Sequence, residues 1–377
     1  MVALNNRRWS LRQPADEPAC LGRDGRPGCV GVHVTAASTV ANAVPASGDA
    51  GQHHKPRRRI SQQTIVFALF MALFMGFGMF LPGFAKVENL LTLLQNVAIL
   101  GILGLGMAVV VIGRGIDISM IAALAVPSGL LLQMVETGHS LGAVAPVALA
   151  LSLAFGLVNG WLIAYAEVPS LFTTLASGLF LAGLGQGFLF NLEIVQWPAA
   201  MDAIAWLGRG TLWGVPMPVV MFGVAAALLS LFLKRMRAGA FIYAMGDNPF
   251  GARATGLPTR PIVVLEYVLA ALIGLFAGLV MAASVNSMPT RIYNSTLVYD
   301  VVLVVVLGGI GLSGGRGGVQ NVVVGTLLIG TMLNGMTILD VSYSVQNIVK
   351  GVVLLLAILI DSVLNPRNEE TAQQGDI

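Results

Sequence analysis

Charge is what this sequence lacks most. Only 10% of its 377 residues are Asp, Glu, Lys or Arg, where a soluble domain carries about 25%. So few charges cannot cover a water-facing surface, and 56% of the chain is hydrophobic. Lysine is scarcest, with Lys55, Lys86, Lys234 and Lys350 alone, and none follows a glycine. That excludes a Walker A loop, which needs Gly-Lys-Ser/Thr to cradle ATP phosphates. The two cysteines, Cys20 and Cys29, sit in a polar N-terminal stretch, too few for a disulfide framework and with no metal-ligand spacing around them. His53 and His54 adjoin a basic run and read as solvated. No basic patch interleaved with aromatics points to nucleic acid. No catalytic constellation or metal site is legible, so the chain reads as a non-enzyme.

What is present is apolar length. A membrane crossing takes about 20 residues, at 1.5 Å rise across a core of roughly 30 Å. Ten candidate segments follow residue 61: 65–84, 91–112, 118–135, 142–165, 170–190, 216–233, 262–285, 298–312, 319–338 and 346–364. The expected fold is an all-α polytopic helical bundle of about ten transmembrane helices. Residues 1–60 are rich in Pro, Gly, Ala, Asp and Arg, show no apolar periodicity, and read as a disordered tail. The transmembrane domain is expected over 61–365, with a short tail at 366–377.

The basic residues set orientation. Residues 1–60 hold nine Lys/Arg against four Asp/Glu, ending in Arg57–Arg59 before the first span. By the positive-inside rule both termini are expected in the cytoplasm. With ten spans the 234–261 loop is cytoplasmic too, and it carries Lys234, Arg235, Arg237, Arg253 and Arg260. Lys86, Arg209, Arg291 and Lys350 fall to the opposite side. So does the 191–215 loop, whose Trp197, Trp206 and Trp213 suit a membrane interface. Gly-x-x-x-Gly pairs at 156/160, 183/187, 274/278, 311/315 and 314/318 suggest dense helix packing. Asp117, Glu167, Glu266, Asp300, Asp340 and Asp361 lie at or near span ends, which speaks weakly against proton coupling.

Three breaks in the apolar pattern carry the local information. In 244–258, Asn248 suits a helix cap, Pro249 the first helical position, Gly256 the C′ position, and Pro258 a stop. A helix of about two turns outside the bilayer follows. It is too short to be stable alone, so its own protein or a partner must hold it. In Gly113-Arg-Gly-Ile-Asp-Ile-Ser119, Arg114 and Asp117 are spaced to pair, and Asp117 or Ser119 to cap the next helix. In 307–318, repeated glycines could bind an anion through bare N–H groups. No Lys or helix-opening Ser/Thr follows them, so packing or hinging is the preferred reading.

These motifs resemble those of ribose/xylose-type ABC sugar permeases. Gly115-Ile-Asp-Ile-Ser119 is similar to their GIDLSVG motif, residues 246–257 to GxNPxAAxxSGI, and 169–175 to PSFIxTLG. The stretch 307–361, with Asn334-Gly335, Val341-Ser342, Gln346 and Lys350-Gly351, resembles their C-terminal block. The resemblance runs in order through nearly all of 61–365. It departs where Met120-Ile121 replaces Val-Gly, and where Ala176-Ser177 stands at the "TLG" glycine.

The resemblance implies a multi-pass permease subunit of a bacterial inner membrane, paired with a second copy. It implies a separate cytoplasmic ATPase, which binds ATP and Mg, and an extracytoplasmic solute-binding protein; this chain is expected to carry no cofactor or metal. Residues Gly246, Asp247, Asn248, Pro249, Phe250, Arg253 and Gly256 would form the coupling helix that meets the ATPase. Gly115, Asp117 and Ser119 carry the motif break. Polar residues inside spans, namely Gln95, Asn96, Thr173, Thr174, Gln186 and Asn334, are candidates to line the pathway, or else to hydrogen-bond between helices. A monosaccharide or related polyol is the expected cargo. The alternatives are branched-chain amino acids or nucleosides in the same superfamily, or an ion-coupled secondary carrier.

Overall fold

The computed structural model describes residues 62–189 and 193–364. The predicted tails, 1–60 and 366–377, lie outside the described residues. The helices are α1 (Gln62–Phe80), α2 (Val87–Ile112), α3 (Met120–Glu136), α4 (Leu141–Ala164), α5 (Ser170–Leu184), α6 (Trp206–Arg209) and α7 (Met217–Arg235). They continue as α8 (Arg237–Asp247), α9 (Pro249–Ala254), α10 (Thr259–Val285), α11 (Leu297–Leu307), α12 (Val319–Ile338) and α13 (Tyr343–Leu364). Among the described residues seven helices are long and apolar enough to cross a membrane, and Met120–Glu136, Leu297–Leu307 and Tyr343–Leu359 are shorter apolar helices. A helix therefore stands in each of the ten predicted segments.

The core is built on α2, α3 and α10. Most of α2 from Leu100 to Ile112 is buried, and it packs against α7, α10, α11 and α12. Helix α10 packs against α2, α3 and α4. Bare backbone makes the closest approach possible: a Cβ at Gly156 or Gly160 of α4 would lie 2.7 Å from the Val268 Cα or 2.6 Å from the Val264 Cα of α10. Gly278 of α10 meets α3 in the same way, at the Leu124 carbonyl. The other predicted pairs act differently. A Cβ at Gly183 or Gly187 would meet no other part of the protein within 4 Å, and 311/315 and 314/318 fall in a loop rather than a helix. Since packing between apolar helices in lipid rests on close contact rather than on water exclusion, Gly160→Ile is expected to force α4 off α10. Its overpacking cost is about 1–3 kcal/mol. A drop in the apparent melting point of the detergent-solubilised protein is the measurement, with Gly183→Ile as the neutral comparison.

Helix α11 has 11 residues, about half a bilayer in length. Its C-terminal backbone is satisfied inside the protein, one of the settings in which irregular chain is tolerated at membrane depth. The Asn321 side-chain amide donates to the Gly308 carbonyl at 2.7 Å.

At the end of the bundle opposite α8 and α9, β1 (Ile194–Gln196) pairs antiparallel with β4 (Ser287–Pro289), and β2 (Thr211–Leu212) with β3 (Val215–Pro216). Trp206 and Trp213 are exposed, but Trp197 is buried, which corrects its expected interfacial place. The Arg209 guanidinium covers its ring at 5.7 Å and donates to the Ala283 carbonyl at 3.0 Å and to Asn286.

Lys350 is likewise no loop residue. It lies within α13, buried, with its ammonium 2.8 Å from Asp300 Oδ1 on α11. A sequence scan places a lone lysine at a span end because it cannot see a partner 50 positions away.

Candidate functional site

The 234–261 segment is not a loop with one short helix. It holds α8 and α9, which meet at Asn248. The predicted helix is thereby corrected: α9 spans only Pro249–Ala254, while Gly246 and Asp247 are the last residues of α8. The sequence reading missed α8, whose buried residues Gly239, Ile242 and Gly246 follow the i, i+3, i+7 spacing of one helical face.

The ends of α9 match its sequence grammar. The Asn248 side-chain oxygen accepts from the Gly251 N–H at 2.9 Å, and Pro249 opens the helix. At the other end Gly256 has φ +79°. Its N–H donates to the Arg253 carbonyl and that of Leu257 to the Ala252 carbonyl, the paired bonds of a Schellman ending. Ala252 is buried, whereas Phe250 and Arg253 are exposed. A six-residue helix thus presents an aromatic and a guanidinium from a backbone fixed at both ends.

Helix α8 fastens this unit to the bundle. Gly246 lies so close to the end of α2 that a Cβ there would collide with the Ile112 carbonyl and lie 2.5 Å from the Gly315 nitrogen. The Gly315 N–H donates to that same carbonyl at 2.8 Å. Gly314 and Gly315 have φ +79° and +69°, which glycine alone adopts without strain. The Tyr243 hydroxyl donates to the Gly317 carbonyl at 2.9 Å, and burial raises the phenol's pKa. Three segments far apart in sequence therefore meet at one knot: the end of α2, the end of α8 and the glycine loop. The glycine run serves packing here, as preferred from sequence.

The Gly113–Ser119 break is held from a second side. The Asp117 carboxyl turns inward and accepts from the Ser119 N–H at 2.9 Å and from the Ser119 hydroxyl. Asp117 thus caps the turn into α3, and the anticipated pairing with Arg114 is replaced by bonds to Ser119. From α5, Ser170 accepts from the Ile116 N–H at 3.3 Å and Thr174 from the Ile118 N–H at 3.2 Å. Asn159 of α4 donates to the Ser119 hydroxyl at 3.0 Å. Gly115 leaves room for the Tyr267 hydroxyl. The two sequence motifs at 115–119 and 169–175 are therefore one structural element.

The candidate pathway residues sit in different settings. Thr174 is spent on the break, and Asn334 exchanges reciprocal side-chain bonds with Asn89 of α2 at 3.0 and 3.1 Å. Both take the inter-helix role that was the alternative for them. Thr173 is buried, Gln95 is half-buried, and Asn96 and Gln186 are exposed, Gln186 within a π-helical turn at Gly185–Leu189.

Two carboxylates are buried, Glu266 deeper than a span end and Asp300 in the first turn of α11. Glu266 is buried two turns into α10 against Gly113, and Asp300 is buried with Lys350. Glu266 therefore departs from the expected span-end placement, while Asp300 keeps it. No cluster of three or more potential metal ligands occurs among the described residues.

Comparison with known proteins addresses the transport class directly. Residues 89–358 match the family model described as "Branched-chain amino acid transport system / permease component". The ribose import permease protein of Escherichia coli (strain K12) is 32% identical over 283 residues, which is 74% of this chain and 88% of that protein. Its counterpart in Bacillus subtilis (strain 168) is 34% identical over 300 residues, 74% and 86% of the two chains. The xylose transport system permease protein of Haemophilus influenzae is 29% identical over 368 residues, 81% and 97%. No solved structure matches. The motif resemblance and these relatives agree, and the chain belongs to this family of multi-pass transport permeases.

Proposed function

We propose that this chain is the membrane-spanning permease subunit of an ABC importer in a bacterial inner membrane, with α8 and α9 facing the cytoplasm. It works as two copies with a separate ATPase that binds ATP and Mg, and it receives its cargo from an extracytoplasmic solute-binding protein. The observation that carries the reading is α9: it is capped at both ends, tied through α8 to α2 and the glycine loop, and exposes Phe250 and Arg253. A helix this short gains stability from tertiary support, and an aromatic beside an arginine is the composition of an interface anchor. A rigid link from an outer helix to the bundle would carry movement of the ATPase to α2.

A monosaccharide or related polyol is the proposed cargo, supported by relatives named for ribose and xylose. The matched family's description favours a second reading, a branched-chain amino acid. Uptake of labelled ribose, xylose and leucine by cells expressing the intact transporter separates the two.

Phe250→Ala and Arg253→Glu are each expected to weaken co-purification of the ATPase by about thirtyfold in Kd, the effect of losing roughly 2 kcal/mol at an interface anchor. Membrane insertion should be normal. A pull-down that matches wild type for both variants rejects α9 as the contact.

A further inference from the structure

The close approach of α4 and α10 leaves an open channel along their outer face. It has a volume of about 830 Å³ and is lined by Leu157, Val158, Trp161 and Leu162 of α4 and Val264 of α10, with Tyr165 and Pro261 at one end. Its wall is almost wholly apolar. Tyr165 and Pro261 also border a second depression of about 360 Å³, more polar than the first, whose lining includes Arg253 and Arg260. One groove therefore runs from a greasy trough to a mouth with two guanidinium groups, on the end of the bundle that carries α8 and α9.

We propose that this groove binds an anionic phospholipid, its acyl chain along α4 and α10 and its phosphate between Arg253 and Arg260. The trough and the mouth match the two halves of such a molecule in polarity and order, and basic pockets beside membrane helices recognise anionic head groups. The mouth is built rather than incidental. Arg260 stacks on the Tyr165 ring at 5.5 Å and pairs with Glu167 at 3.2 Å, yet its side chain remains 52% exposed. Arginine is suited to phosphate because its planar fork offers several donors at once. Glu167 is the one acidic group paired there, and it opposes an anion. Arg253 is also the proposed ATPase anchor, so phosphate and ATPase compete for its guanidinium.

The test uses the full-length protein in phosphatidylcholine nanodiscs, with tryptophan emission as the signal. Phosphatidylglycerol with brominated chains is the probe, and brominated phosphatidylcholine the reference. The anionic probe is expected to half-quench at about fivefold lower mole fraction than the reference. That difference should vanish in Trp161→Phe, which removes the reporter, and in Arg253→Gln/Arg260→Gln. Glu167→Gln should move the half-quenching point lower still, a sign that structural damage does not produce. The same sign carries the test if the double variant fails to insert. Equal quenching by the two lipids means bulk lipid contact only and overturns the proposal. So does excess quenching that survives Trp161→Phe, or a disulfide between Leu157→Cys copies showing that a second chain covers the groove.

Discussion

Gly246→Ala is expected to lower uptake at least tenfold while protein remains in the membrane. The added methyl would collide with the Ile112 carbonyl and sit 2.5 Å from the Gly315 nitrogen, so it enters the hydrogen bond that joins them. The three nearest atoms are backbone, and a packed interior leaves them nowhere to rotate. Overpacking costs about 1–3 kcal/mol, and the broken buried bond adds a desolvation cost of about 1–3 kcal/mol. The least costly relief is for α8 to lift from the knot, which takes α9 with it. Faster proteolysis within 237–258 and weaker ATPase co-purification should accompany the loss. Two comparisons isolate the cause. Gly223→Ala on α7 meets nothing within 4 Å and should match wild type. Gly256→Ala also meets nothing but sits at φ +79°, so it should show only the strain of a left-handed residue, about 1–2 kcal/mol. Wild-type uptake by Gly246→Ala rejects the knot as the link between α8 and the bundle.

The uneven legibility of this region has a physical cause. Helix caps are short-range chemistry, so Asn248, Pro249 and Gly256 marked α9 from four or five neighbouring residues, and the hydrogen bonds agree. The apolar segments were legible for the same reason: span length is a local property of composition. Gly246 looked like part of the short helix because its neighbours in sequence suit one. Its role comes instead from Gly315, and nothing local announces a contact between glycines 69 positions apart. The roles of the polar residues inside spans were not legible, on similar grounds. Thr174 and Asn334 are placed by the partners they bond, and partner choice is a tertiary fact. Lys350 is the extreme case, since its chemistry changes with its position relative to Asp300.

The second large effect concerns that pair. Lys350→Met is expected to destabilise the solubilised protein by about 3–5 kcal/mol, the usual result of leaving a buried charge without its partner. The ammonium lies 2.8 Å from Asp300 Oδ1 and donates to Oδ2 at 3.1 Å and to the Thr296 hydroxyl at 3.2 Å. It also stands 5.7 Å from the Tyr343 ring, and the Tyr343 hydroxyl bonds Thr296 at 2.9 Å. These contacts fix the first half of α13 to α11. Beyond them Val353 and Leu354 pack against the core and Ala357 is buried, whereas Val352, Leu355 and Leu359 are exposed. A double-mutant cycle separates the pair from its setting. Asp300→Asn alone leaves a buried ammonium and should also be costly. Asp300→Leu/Lys350→Met removes both charges and should recover most of the loss, because a matched apolar replacement of a buried ion pair is often neutral or stabilising. Melting curves of the four proteins give the coupling energy. A Lys350→Met variant as stable as wild type would mean that the pair does not hold α13 in place.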